Sequence, residues 1–165
     1  MAVNISAIQF RRGDVEDTVT RAVAASGADP AALELELTES ILIDRADLIK
    51  AAMGRLQARG VRLAIDDFGT GYSSLAYLKR FAVDKLKIDQ SFVRDIVSDA
   101  DDAAIVRAVI QMARSLDLRV VAEGVENEAI AAELRAMGCD LVQGHLFGRP
   151  MTGAEFRRLV GVPEA

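Results

Sequence analysis

Short apolar runs alternate with stretches of helical period along this chain, and turn-forming residues punctuate the changes. Ala2-Val3-Asn4-Ile5 reads as an opening strand, reaching to about Ser6. A helix follows from near Asp14, a candidate N-cap, to Ser26, with Gly27 as its stop. After the Asp29-Pro30 break, Leu33-Glu34-Leu35-Glu36-Leu37 alternates apolar and acidic residues with the period of a strand. The next helix, from about Asp44 to Arg59, offers Leu48, Met53 and Leu56 for burial and ends at Gly60.

Val61 to Ile65 is the third strand, and a short helix is expected from Ser73 to about Phe81. Val83 to Ile88 is the fourth strand. Asp101-Asp102 open a long helix to about Leu116, with Ile105, Val109 and Met112 at helical spacing. The acidic run Asp99 to Asp102 suits that helix's N-terminus. Arg119 to Ala122 is the fifth strand, followed by a helix to Met137 and a glycine stop at Gly138. Asp140-Leu141-Val142 is the sixth strand. The last helix opens at Thr152-Gly153-Ala154-Glu155, which has capping-box spacing. Six strands alternating with helices imply an α/β fold with a parallel sheet and right-handed crossovers. Doubly wound and barrel forms both fit. Gly69-x-Gly71 lacks the third glycine of a dinucleotide fingerprint. No linker divides the chain, so residues 1–165 read as one domain.

Hydrophobic residues make up 51% and charged residues 27%, a globular composition. The net charge is −5 with no Lys/Arg block, which gives no reason to expect a DNA or RNA polymer or an anionic membrane as partner. The single cysteine, Cys139, cannot form an internal disulfide and reads as a small packed residue; a reducing, cytoplasmic setting is expected. No apolar run approaches the roughly 18 residues of a membrane span, and no signal-peptide pattern opens the chain.

The chemistry lies at the strand ends. Asn4, Glu36, Asp66 with Asp67, Lys87, Glu123 and Gln143 each fall where a strand closes. In a parallel barrel those ends share one mouth. Oxygen donors without histidine or cysteine suit a hard cation such as Mg²⁺ or Mn²⁺. Two adjacent aspartates could bridge two such ions about 3.5–4 Å apart, as in displacement at phosphorus. Metal-assisted phosphate-ester chemistry, other barrel chemistry and simple turn-capping or solvated strand ends all remain open on spacing alone.

Asn4-Ile5-Ser6, Glu36-Leu37-Thr38-Glu39, Asp66 through Ser74 (Asp-Asp-Phe-Gly-Thr-Gly-Tyr-Ser-Ser), Leu86-Lys87-Ile88-Asp89, Ala122-Glu123-Gly124-Val125-Glu126 and Gln143-Gly144 with Arg149-Pro150 together resemble the EAL family. The resemblance runs over essentially the whole chain. It implies a TIM-type (β/α)₈ barrel and a phosphodiesterase that opens cyclic di-GMP, a bacterial second messenger, to linear pGpG with two Mg²⁺ or Mn²⁺ ions. Asn4, Glu36, Asp66 and Asp67 match metal ligands, with Asp66 bridging. Lys87 and Glu123 match residues that handle the nucleophilic water; Glu126 and Gln143 match further members of that network. Glu39 matches the anchor of the loop after the aspartate pair, a loop linked in the family to substrate binding and dimerisation. Arg149-Pro150 either approaches the substrate guanine or shapes the last loop. His145 falls where the family usually has an aromatic residue, which implies packing. A homodimer, when the domain is complete, and sensory domains N-terminal to the barrel are also implied.

One departure is large. The Glu-Ala-Leu motif of the family, whose glutamate is a metal ligand, occurs nowhere in this sequence. A barrel needs eight strands and about 250 residues. Six strands in 165 residues match the C-terminal two-thirds to three-quarters of such a domain, an incomplete barrel of about six βα units. The chain by itself is therefore expected to hydrolyse cyclic di-GMP poorly. The alternatives are an inactive truncated EAL module that binds cyclic di-GMP or a protein partner, and an unstable fragment.

Overall fold

The Leu-Glu-Leu-Glu-Leu alternation becomes a strand with two unlike faces. Leu35 and Leu37 are almost fully buried toward the helices, while Glu34 and Glu36 point the other way. The structure, a computed structural model, describes residues 1–12, 15–42, 46–70, 78 and 81–161. Its strands are β1 (Ala2–Ile5), β2 (Glu34–Thr38), β3 (Arg62–Phe68), β4 (Lys85–Ile88), β5 (Arg119–Ala122) and β6 (Leu141–Val142). Its α-helices are α1 (Ala7–Arg12), α2 (Val15–Ser26), α3 (Ala46–Ala58), α4 (Gln90–Val93), α5 (Ala100–Ser115), α6 (Glu128–Met137) and α7 (Gly153–Leu159), with 3₁₀ turns at Pro30–Ala32 and Glu39–Leu42.

All strand pairs are parallel, and the sheet order is the chain order, β1 to β6. A doubly wound sheet would reverse its order at a switch point. This one never does. An unreversed parallel order, each strand beside its neighbour in the chain, is that of a (β/α) barrel. The helix-facing side carries Leu63, Ile65, Leu86, Ile88 and Val120, all buried. They meet Met53 and Leu56 of α3, Val106 and Ile110 of α5, and Leu134 of α6 in one core. Each such fully buried side chain is worth about 1.5–3 kcal/mol.

Helix ends follow the sequence closely. Asp99 caps α5 by accepting from the Asp101 and Asp102 amides, and Asn127 caps α6. Thr152 and Glu155 form the expected capping box on α7. Gly138 ends α6 at φ 80°, a left-handed conformation where a Cβ would be strained. The Asp84 and Asp140 carboxylates accept from the Leu63 and Val120 amides, each tying a strand to the start of the next.

Two short helices were absent from the sequence expectation. Helix α1 is held by Ser6 and Gln9: the Gln9 side chain accepts from the Ser6 amide at 2.9 Å, and the Gln9 amide donates to Ser6 Oγ at 3.4 Å. Helix α4 starts at Asp89, whose side chain accepts from the Ser91 amide. The expected N-cap Asp14, the side chain of Leu48 and most of the expected helix from Ser73 lie outside the described residues; Leu78 and Phe81, at its end, are buried. Among the described residues, no helix is long and apolar enough to cross a membrane.

Candidate active site

Adjacent residues of a regular strand point to opposite faces, so Asp66 and Asp67 should not reach one site. The strand is not regular here. Ile65 pairs with Leu86 and Phe68 with Ile88, so β3 carries one more residue than β4 across that interval. The extra residue is accommodated with Asp67 at φ 54°. Such a bulge re-aims side chains, and here it brings both carboxylates together. Asp66, Asp67 and Glu123 have carboxylate oxygens within 4.8 Å of one another. The sequence reading placed the aspartates after a strand ending at Ile65. Instead they lie within β3, which runs on to Phe68.

Lys87 binds this cluster from β4. Its Nζ lies 2.9 Å from Glu36 Oε1, 2.9 Å from Asp66 Oδ1 and 2.6 Å from Glu123 Oε1. Burial leaves Lys87 only 4% exposed and by itself would lower its pKa. Hydrogen bonds to Glu123, Glu36 and Asp66 outweigh that and hold the ammonium well above the ordinary lysine value. Burial, followed by the charges of Asp66 and Asp89, raises the Asp67 carboxyl. Burial raises Glu123 as well, against the pull of Lys87. Three carboxylates thus contact one ammonium with Asp67 beside them, and Asp67 and Glu123 resist ionising.

The remaining sequence candidates fall around this hub. Asn4 pairs in register with Glu36 on the exposed edge strand β1. Glu36 is not a strand end: it lies in the middle of β2 and is buried. Glu39 is 6% exposed; its Oε2 accepts from the Gly69 amide at 3.4 Å, and its Oε1 has no hydrogen-bond partner among the described residues. A cavity of about 710 Å³ is bordered by Glu36, Lys87 and Gln143 and by the Glu34–Lys85 ion pair. A second, of about 460 Å³, gathers Glu123, Glu126, Gln143, Arg149 and Pro150. His145 borders it and is exposed, contrary to the packing expectation. Gln90 also borders it and escaped the sequence reading, although Asp89-x-Ser91 is a helix-cap signal.

The donor set is wholly oxygen, anionic in excess and partly buried, which fits a divalent cation of the hard class. The raised carboxyls give that fit a pH signature. Protons compete at Asp67 and Glu123 at higher pH than at ordinary carboxylates. Mn²⁺ affinity is therefore expected to fall as pH drops from neutral toward 4.5, the ordinary glutamate value, with loss beginning above it. The folded value lies above the unfolded one, so these two groups stabilise the metal-free chain as pH falls through the same window. Mn²⁺ titrations across pH check this; an affinity flat from neutral to 4.5 would contradict it.

Residues 1–150 match the EAL domain family. The chain belongs to that family. The chain is similar to the bifunctional diguanylate cyclase/cyclic di-GMP phosphodiesterase MucR of Pseudomonas aeruginosa, at 48% identity over 151 residues, covering 92% of this chain and 22% of MucR. Similarity to the cyclic di-GMP phosphodiesterase NbdA of the same organism is also 48% over 151 residues, covering 92% of this chain and 19% of NbdA. The chain thus spans about a fifth of these relatives' length. The solved MucR phosphodiesterase in complex with cyclic di-GMP superposes with a TM-score of 0.90 at 46% identity, covering 94% of this chain and 63% of that one. A manganese and cyclic di-GMP complex of Klebsiella pneumoniae BlrP1 gives 0.83 at 37% identity, covering 90% of this chain and 38% of that one. The EAL fold is a barrel, of which the six parallel strands here form an incomplete part.

Proposed function

We propose that this chain is the catalytic-face portion of a cyclic di-GMP phosphodiesterase domain, which hydrolyses one phosphodiester to give linear pGpG. The observation that carries the reading is the bulged Asp66–Asp67 pair meeting Glu123 around Lys87. In this proposal Asn4, Glu36, Asp66 and Asp67 hold two divalent cations, Mg²⁺ or Mn²⁺. Such ions supply Lewis-acid stabilisation of the phosphate and a nucleophilic hydroxide at neutral pH. Lys87, protonated throughout the physiological range, neutralises Glu36, Asp66 and Glu123 and offers a positive charge to a phosphate oxygen. Glu123, with its raised pKa, accepts the proton of the attacking water, and Glu126 and Gln143 orient that water from the second cavity. Arg149 and Pro150 border the space for the nucleotide, and Glu39 anchors the turn at Gly69. A homodimer in the complete domain and a cytoplasmic setting belong to the same reading.

A second reading is a module of the same family that binds cyclic di-GMP without turning it over. One assay separates the two. Release of pGpG is followed in Mg²⁺ and Mn²⁺ for the 165-residue chain and for the same chain joined to the Glu-Ala-Leu segment of a relative. The joined form is expected to show metal-dependent turnover, on the order of 1 s⁻¹ or more, and the chain alone far less. Nucleotide binding by the joined form without pGpG release selects the second reading. Failure to bind or cleave in either form rejects both.

A further inference from the structure

Helix α4 is a single turn, yet it touches both halves of the carboxylate cluster. It begins at Gln90, three residues after Lys87, is capped by Asp89 and is rooted in the core by Val93, which is fully buried. On one side, the Phe92 ring lies against Gly69, two residues beyond Asp67. A Cβ built on Gly69 would sit 2.9 Å from Phe92 Cε2. On the other side, Gln90 lies against Gly124, the residue after Glu123. There a Cβ would sit 2.6 Å from Gln90 Cβ and 3.3 Å from its Cα. Both glycines have positive φ, 102° and 72°, so each turn presents bare backbone to the helix. The packing leaves no slack between either turn and α4.

We infer that α4 is a spacer, with Phe92 and Gln90 as positioning residues, that sets the separation between Asp66–Asp67 and Glu123 and so the affinity of the cluster for divalent cations. None of its side chains needs to touch the cation. The carboxylates close to within 4.8 Å of one another although they come from β3 and from the residue that follows β5, strands that are not neighbours. Their mutual repulsion favours a wider spacing. The strand between them supplies Lys87 as the attractive element and α4 as the rigid one. Glu39 accepts from the Gly69 amide, so that turn meets a carboxylate as well as the ring.

The inference rests on the divalent-cation reading, and the experiment keeps the two apart. The 165-residue chain is titrated with Mn²⁺ and free ion is counted from its electron paramagnetic resonance signal, without any assay of turnover. Phe92→Leu, which replaces the flat ring, and Gly124→Ala, which drives a methyl group into Gln90, are each expected to weaken Mn²⁺ binding about 10–100-fold. Leu134→Ala, on α6 outside the cluster and both cavities, lowers the melting temperature and leaves the Mn²⁺ affinity in place. Should one of the two α4-contact variants fail to fold, the other decides. Wild-type affinity in a folded Phe92→Leu or Gly124→Ala protein overturns the spacer, as does an equal loss in Leu134→Ala. A wild-type chain that binds no Mn²⁺ overturns the cation reading and the spacer together, which is a different result from binding that the α4 variants leave unchanged.

Discussion

Lys87→Met is expected to destabilise the metal-free protein by about 3–5 kcal/mol, the usual cost of removing one partner from a buried ionic network. The ammonium is the shared partner of Glu36, Asp66 and Glu123 at 2.6–2.9 Å, and Glu36 and Asp66 are themselves buried. Methionine fills similar volume, so the loss is electrostatic rather than a cavity. The carboxylates left behind must then take up protons or draw in solvent. The folded pKa of Lys87 lies above its ordinary value of 10.5, so its stabilising contribution is complete below that value and disappears only as pH rises through the folded one. Neutral pH is therefore a fair place to measure it. Chemical denaturation of wild type and variant, with chelator and then with Mn²⁺, gives the result. The deficit should shrink when the cation replaces part of the missing positive charge, and an unchanged midpoint with chelator would show that Lys87 does not hold the cluster together.

How much of this was legible in the sequence depends on whether the signal was local. Caps and stops at Asp99, Gly138 and Thr152 were readable because a helix terminus is specified by residues within a few positions of it. The acidic alternation of β2 announced one apolar and one polar face, and the structure has both. The order of the strands was not readable. A doubly wound sheet and a barrel share the same local alternation, and only the pairing of each strand with its sequence neighbour separates them. The family motifs resolved in advance what periodicity could not, because they fix residues on several strands at once, and the match over residues 1–150 agrees.

The same distinction applies within the site. That Asp66, Asp67, Lys87 and Glu123 come together was expected from their strand positions. How two consecutive aspartates share a face was not, because a bulge is defined against the partner strand and not along its own. Helix α4 was missed for a related reason: four residues are too few to show a helical period, and only the Asp89 cap marks it. Gly69 and Gly124 were visible as glycines, but the side chains pressing on them arrive from a different part of the chain.

Asp66→Asn should be the most damaging conservative change in the molecule. The carboxylate contacts Lys87 Nζ at 2.9 Å, accepts from the Asp67 amide at 3.1 Å and belongs to the 4.8 Å cluster. An amide of the same shape preserves packing but removes a charge from the point where the proposed cations meet. Their mutual repulsion then lacks its shared counter-charge. In the form carrying a Glu-Ala-Leu segment, pGpG release is expected to fall at least about 10³-fold, or ~4 kcal/mol of transition-state stabilisation. Gln143→Ala is the control: Gln143 is exposed at the rim of both cavities, and its loss should cost about 10–100-fold. A second readout needs no turnover. Asp66 contributes to the raised pKa values of Asp67 and Glu123, so both carboxyls should titrate lower in Asp66→Asn, which NMR can follow in the 165-residue chain. Equal, mild losses of activity in Asp66→Asn and Gln143→Ala would exclude a bridging role. Unchanged titrations of Asp67 and Glu123 in Asp66→Asn would exclude the electrostatic coupling of Asp66 to both groups.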